Sequence, residues 1–416
     1  MLSYRRILVA AVLILFFLKL IVVFFYQDQI GVWEDDVIAR NMLETGEMFY
    51  MQRGTPNYMF QFPVYPSLLF VIYKIFGYNP FYAIVLNLGI ISITCFFLYK
   101  IFIDFYRLLK VKLMGVDPEL IAFLTVLSFL IHPFISFYSM FKVHPFVFDM
   151  FFPIAIIFFS FRFLKLQCWK NLCLLAFSTG LGVLNRSTAF SALIPFIILA
   201  ASSLNLRKTL LSLAVVSFTT VLVITPWLMR GYSLYNSLAM TMTGNEMLWA
   251  GSLYNSDGST YLLNGRTYKT ALTLQENEFL HGKSISVQSE FFKKKYDQIL
   301  LHNPQHIFSM YLIKFKNFWL YHKNIGIEYG DGIQSLLITF KLYVFLILGL
   351  NVSAIFFLKF KPFVLLSFPL GIALVQSFFY VETRHRISVE PFLLFFSFIT
   401  IFIYGKKICI NVREKF

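Results

Sequence analysis

Three acids stand side by side early in the chain, Glu34, Asp35 and Asp36, followed by Ala39, Met42 and Leu43 at helical spacing. A carboxylate in such a run can take a proton from a nucleophile as a general base. The same three acids also suit the first turn of an amphipathic helix, where the helix dipole favours negative charge. Both readings stay open. The complementary chemistry is basic: Arg186, Arg230, Arg384 and Arg386 lie at the ends of apolar runs. A guanidinium fork matches phosphate oxygens, although an Arg or Trp at such an end is also an ordinary interfacial anchor. His385 is a further phosphate candidate between two of these arginines. Asp149 and Glu390 sit near the same ends, where an ionisable group is costly enough to imply a role or a partner.

The elements that must position these residues are membrane helices. The 416 residues are 58% apolar, 19% aromatic and only 14% charged, with 52 Phe, which excludes an ordinary water-soluble domain. Apolar runs at roughly 7–25, 81–103, 120–137, 145–161, 172–184, 189–204, 210–228, 336–357, 363–380 and 387–404 predict about ten spans. The first run lacks a small-residue cleavage motif and is read as a retained span. With the start in the cytoplasm, the inner segments carry Arg5, Arg6, Arg107, Lys110, Lys112, Arg162, Lys165, Lys170, Arg207, Lys208, Lys359, Lys361, Lys406, Lys407, Arg413 and Lys415. The short outer connections hold only Lys142, Arg186, Arg384 and Arg386. This asymmetry sets the orientation and accounts for the net charge of +15 without nucleic acid. Cys95, Cys168, Cys173 and Cys409 fall in spans or inside, so neither an outer disulfide framework nor a cysteine zinc site is expected.

Three regions follow: an N-terminal membrane core, 1–229, including a first outer loop, 26–80; an outer segment, 230–335; and C-terminal spans with a basic tail, 336–416. The stretch Pro63 to Gly77 is amphipathic and too short to cross, so it is expected to lie on the membrane surface. In the outer segment, Gly251 to Gly265 reads as turns, and Ser286 to Leu301 and Pro304 to Tyr321 read as two helices. No internal repeat is visible.

Four stretches resemble the bacterial membrane glycosyltransferases related to protein O-mannosyltransferases (glycosyltransferase family 39) and to the aminoarabinose transferase of lipid A. The acidic run continues as Ala39-Arg40-Asn41-Met42-Leu43-Glu44-Thr45-Gly46 and leads to Phe62-Pro63-Val64-Tyr65-Pro66 and Ile75-Phe76-Gly77, as in the family's first outer loop. Thr225-Pro226-Trp227 with Arg230 and Tyr232, then Leu248-Trp249-Ala250-Gly251-Ser252, is similar to the family's exit into its second outer domain. Asn303-Pro304 with Lys314, Phe315, Phe318 and Trp319 fits, and Arg384-His385-Arg386-Ile387-Ser388-Val389-Glu390-Pro391 resembles the entry to the final core span.

The resemblance implies an all-α polytopic GT-C fold, in which interfacial helices of the first outer loop cap a membrane cavity. It implies an inverting glycosyltransferase in a bacterial inner membrane, moving a sugar from a polyprenyl-phosphate donor to a lipid, glycan or protein acceptor at the outer, periplasmic face. One first-loop acid is essential in such enzymes; here it is Asp35 or Asp36, with Glu34 beside them, and Arg230, Arg186, Arg384 and Arg386 are the candidates for holding the departing phosphate. The aminoarabinose branch has Glu-Lys-Pro-Pro where this chain has Gln61-Phe62-Pro63-Val64. A divalent cation would therefore depend on Asp35 and Asp36, or on Glu34, and transfer to lipid A is disfavoured. The competing readings are an envelope polysaccharide polymerase or ligase, which would rely on Arg and His of the large outer loop, and a lipid-linked sugar flippase or other transporter, which would place charges deep in several spans.

Overall fold

A computed structural model describes residues 3–108, 117–320, 334–359 and 361–413. Lys110, Lys112 and Lys415 of the inner basic set, and residues 321–333 of the outer segment, lie outside this range, as do the side chains of Lys407, Cys409 and Arg413. The described chain is helical: α1 Tyr4–Phe25, β1 Gly31–Val32, α2 Glu34–Thr45, β2 Tyr50–Gln52, β3 Thr55–Asn57, α3 Val64–Phe76, α4 Pro80–Leu108, α5 Pro118–Ile131, α6 Pro133–Phe141, β4 Lys142–Val143, α7 Phe146–Leu166, α8 Trp169–Asn185, α9 Leu193–Ser203 and α10 Leu206–Tyr235. The segment 230–335 adds α11 Gly244–Ala250, α12 Leu274–Leu280, α13 Ile285–His302 and α14 Pro304–Trp319. The C-terminal part holds α15 Gln334–Phe357, α16 Phe363–Gln376 and α17 Glu390–Arg413.

Six helices, α1, α4, α7, α10, α15 and α17, are long and apolar enough to cross a membrane. The chain is a multi-pass, all-α membrane protein. A seventh span exists if α5 and α6 are one, bent by 50°. The sequence read this stretch as one continuous span; the bend falls at His132, whose extended ψ of 127° is the conformation that the following Pro133 imposes. The other three expected spans are α8, α9 and α16, of 17, 11 and 14 residues, shorter than the roughly 20 needed for an untilted crossing. Helix α10 also departs from expectation, continuing through Pro226 to end at Asn236 in the left-handed region. Its interior proline is tolerated because a membrane helix can rebalance the freed carbonyl locally.

Burial separates the helices into two classes. Leu13, Ile14 and Phe17 on α1, Phe218, Val221 and Leu222 on α10, and Phe345 and Phe356 on α15 are exposed, as acyl chains rather than water would require. Helix α7 is buried along most of its length. It packs against α4, α8 and α9, with Phe102, Phe129, Phe196, Phe368 and Phe392 in the surrounding core.

Residues 26–80 cap one end of this bundle. Helix α3 lies on the ends of α1, α4 and α7 through Tyr65, Leu69 and Tyr73, packed with Val23, Ala83, Ile84 and Phe148. The short strands β1 and β4 pair in parallel, Gly31 with Lys142 and Val32 with Val143. That pairing clamps the approach to α2 against the end of α6. Residues 26–80 and 230–335 are joined as well. β2 and β3 form a hairpin whose turn, Arg53-Gly54, has positive φ at both positions (48° and 79°), the primed turn geometry that fits strand twist. Arg53 reaches the buried Glu246 of α11, which also accepts from Gln52 Nε2 (3.1 Å) and Tyr268 Oη (3.0 Å).

Candidate active site

The acids of the first turn of α2 divide into different environments. Asp36 is fully buried and occupied: Oδ1 accepts from Tyr73 Oη (2.7 Å), and Oδ2 accepts from Tyr78 Oη (3.1 Å) and Arg40 Nε (3.1 Å). Burial and the Asp36 charge push the Tyr73 hydroxyl well up, so that it remains a donor. Asp36 thereby ties α2 to α3. Asp35 is equally buried, at 2% exposure, but its Oδ2 has no hydrogen-bond partner. Burial first, then the charges of Glu34 and Asp149, push its carboxyl well above the ordinary 3.8. Spacing alone could not separate the two aspartates; their partners do. Glu34, the third candidate, is half-buried and contributes through its charge on Asp35.

Asp149 leads from this carboxylate to a basic wall. It lies in the first turn of α7 and accepts from Asn185 Nδ2 (2.9 Å) and Arg186 Nη1 (2.6 Å), both at the end of α8. Arg186, Arg384, His385, Gln376 and Ser388 then line, with Asp149, a narrow cleft of about 20 Å³, room for about one water molecule. Arg384 is stacked over Trp33, 5.1 Å from its ring centre, and its Nε lies 2.6 Å from Glu382 Oε2 without the angle of a hydrogen bond. His385 Nδ1 accepts from the Glu382 backbone N–H (3.1 Å), which leaves Nε2 buried and unpartnered. His144, just after β4, packs edge-on against Trp33 at 4.9 Å. Its Nδ1 is also buried without a partner, and burial with the nearby Arg384 and Arg186 charges holds it neutral, far below the ordinary 6.5.

Of the arginines expected to hold phosphate, the structure therefore brings together Arg186 and Arg384. The other two are engaged elsewhere. Arg386 pairs with Glu390 (Nε to Oε2, 3.0 Å) and donates from Nη1 to the Trp319 carbonyl (2.5 Å), fastening α17 to the end of α14. Glu390 also accepts from Tyr343 Oη (2.6 Å), so the partner that its burial implied is a structural network. Arg230 lies under the first-loop hairpin, near the Tyr58 and Trp227 rings (6.0 and 5.9 Å) and donating to the Met48 carbonyl at 3.4 Å.

Sequence reasoning missed His144 and Trp33. Neither belongs to a motif, and the two-residue pairing of β1 with β4 that brings them together leaves no pattern in a linear chain. The metal expectation can be tested on donors. Asp36 already accepts three hydrogen bonds and Asp149 is held by Arg186, so Asp35 and Asp36 do not fit as a shared cation site. Among the described residues no three His, Cys, Asp or Glu side chains converge as metal ligands. Compared with protein-family models, with curated proteins and with solved structures, the chain matches none.

Proposed function

We propose that the chain is a membrane glycosyltransferase of GT-C type that moves a sugar from a polyprenyl-phosphate donor to a hydroxyl-bearing lipid, glycan or protein acceptor, at the outer face of a bacterial inner membrane. The observation that carries this reading is the buried Asp35 carboxylate with an unpartnered Oδ2, close enough to feel the charge of Asp149, which itself lines a cleft with Arg186, Arg384 and His385 at the capped end of an apolar bundle.

In the proposed reaction the acceptor oxygen attacks the anomeric carbon while the bond from that carbon to the phosphate oxygen breaks. The acceptor proton passes to Asp35, whose raised basicity suits a general base. The departing polyprenyl phosphate takes the bonding electron pair, and Arg186, Arg384 and the His385 Nε2–H meet its charge once the cleft, narrow here, has widened around the phosphate. One displacement inverts the anomeric centre. Asp149 orients Arg186 before the phosphate arrives. The expected ten-crossing topology requires α8, α9 and α16 to cross fully as tilted helices; residues 26–80 and 230–335 then share one side, which their contact through Arg53 and Glu246 supports, and the basic segments share the other.

The test is to substitute Asp35→Asn and Asp36→Asn separately, and to measure sugar transfer from a defined polyprenyl-phosphate donor in reconstituted membranes. Asp35→Asn is expected to lose about 10²-fold or more, the scale of a removed general base. Full activity in Asp35→Asn would remove the basis of the assignment.

A further inference from the structure

The end of the bundle opposite the capped one carries a second cleft. It measures about 100 Å³, several times what one water molecule needs, and lies where α1, α4, α5 and α7 meet. Five cations line it, Arg5, Lys100, Arg107, Arg162 and Lys165, against two acids, Asp104 and Glu119. Asp104 accepts from Lys165 Nζ at 3.0 Å, and Glu119 accepts from Tyr99 Oη at 3.4 Å. Arg5, Lys100, Arg107 and Arg162 make no ion pair or hydrogen bond through their side chains among the described residues. A positive-inside bias alone would scatter cations over connecting segments. Here they come from three helices and converge on one concavity, with an excess of three positive charges.

We propose that this cleft seats a phosphate group, and that its source is the head group of an anionic phospholipid in the leaflet facing that end. Phosphate matches the features at hand: a compact dianion or monoanion, oxygen acceptors for guanidinium donors, and a volume on the scale of the cleft. Basic clefts between membrane helices at the cytoplasmic side are the usual seats for such head groups. The lipid source is favoured because α1, which supplies Arg5, continues into the bundle as an exposed apolar ridge, Leu13, Ile14 and Phe17, along which acyl chains can lie. The seat is independent of the transfer chemistry: none of its residues lines the cleft at the other end.

The experiment compares the full chain with the Lys100→Gln/Arg107→Gln double variant and with Arg162→Lys. Lys100 and Arg107 are exposed, so their loss leaves the core intact, and Arg162→Lys keeps the charge while removing the fork. Each protein is placed in nanodiscs of phosphatidylcholine with or without phosphatidylglycerol, and lipid retained after detergent extraction is counted by native mass spectrometry. In the phosphatidylcholine discs, inorganic phosphate is titrated at constant ionic strength while the unfolding midpoint is followed. Selective retention of phosphatidylglycerol by the parent, about fivefold weaker for each cation removed and intermediate in Arg162→Lys, supports the lipid seat. A saturable midpoint rise with inorganic phosphate, lost in the double variant and without lipid retention, supports a phosphate seat and overturns its lipid source. Equal behaviour of parent and variants in both arms overturns the proposal.

Discussion

At the scale of single residues, neighbours alone distinguish two adjacent aspartates. Asp36 has three donors and serves as a rivet; Asp35 has none on Oδ2 and bears the cost of burial. Because the folded carboxyl of Asp35 titrates above the ordinary 3.8, folding favours its protonated form. Its contribution to stability is therefore fullest below 3.8 and declines as pH rises through the folded value. Asparagine keeps the shape and carries no charge to desolvate. At neutral pH, Asp35→Asn is thus expected to raise the unfolding free energy by about 1 kcal/mol, the scale of one unsatisfied buried polar group, while lowering transfer by about 10²-fold or more. The gain should vanish at pH 3. Thermal unfolding of the purified variant across this pH range measures it, and a variant less stable than the parent at pH 7 would contradict the burial argument. The acids before an apolar stripe were legible as a helix start, and it was the resemblance to the glycosyltransferase family that implied one essential acid among them. It could not choose between them, because Tyr73 and Tyr78 approach only after α3 has folded over α2.

Among the elements, helices were the most legible. The pattern placed the two outer helices at 286–301 and 304–321, against α13 Ile285–His302 and α14 Pro304–Trp319, since Asn303-Pro304 is both a stop and a start signal. The amphipathic stretch Pro63 to Gly77 became α3, lying over the bundle end as its length required. Features that depend on remote pairing were not legible: the parallel contact of β1 with β4, and the Arg53–Glu246 contact between the two outer segments. That contact is testable. Glu246 is 4% exposed and accepts from Gln52, Arg53 and Tyr268, so Glu246→Gln leaves a largely buried guanidinium without its counter-ion. The cost is about 3 kcal/mol, the usual scale for breaking a buried pair. Amide exchange of the β2–β3 hairpin is expected to quicken while α4 and α7 keep their protection. Unchanged hairpin exchange would show that packing alone holds the outer segments together.

For the whole molecule, composition points to the class that the helices bear out and the charge pattern implies an orientation, while helix length leaves the crossings less uniform than an apolar profile implies. The profile sees Leu and Phe equally in a full span and in the 11-residue α9. Orientation can be read by labelling. In a chain lacking its four cysteines, Asn79→Cys, exposed before α4, is expected to react with an impermeant maleimide from the outer side. Gln167→Cys, exposed after α7, is expected to react only once the membrane is opened. The reverse result would turn the protein over and place Asp35 in the cytoplasm. The walls of the candidate site come from distant parts of the chain: Trp33 and Asp35, then His144 and Asp149, then Arg186, and last Arg384 and His385. A polypeptide entering the bilayer from its start holds the carboxylate early and acquires half of the guanidinium pair only when its final helix docks. On the proposed reading, synthesis order would work as a safety catch: an unfinished copy would carry Asp35 with an incomplete place for a leaving group, and reactivity would arrive with completion.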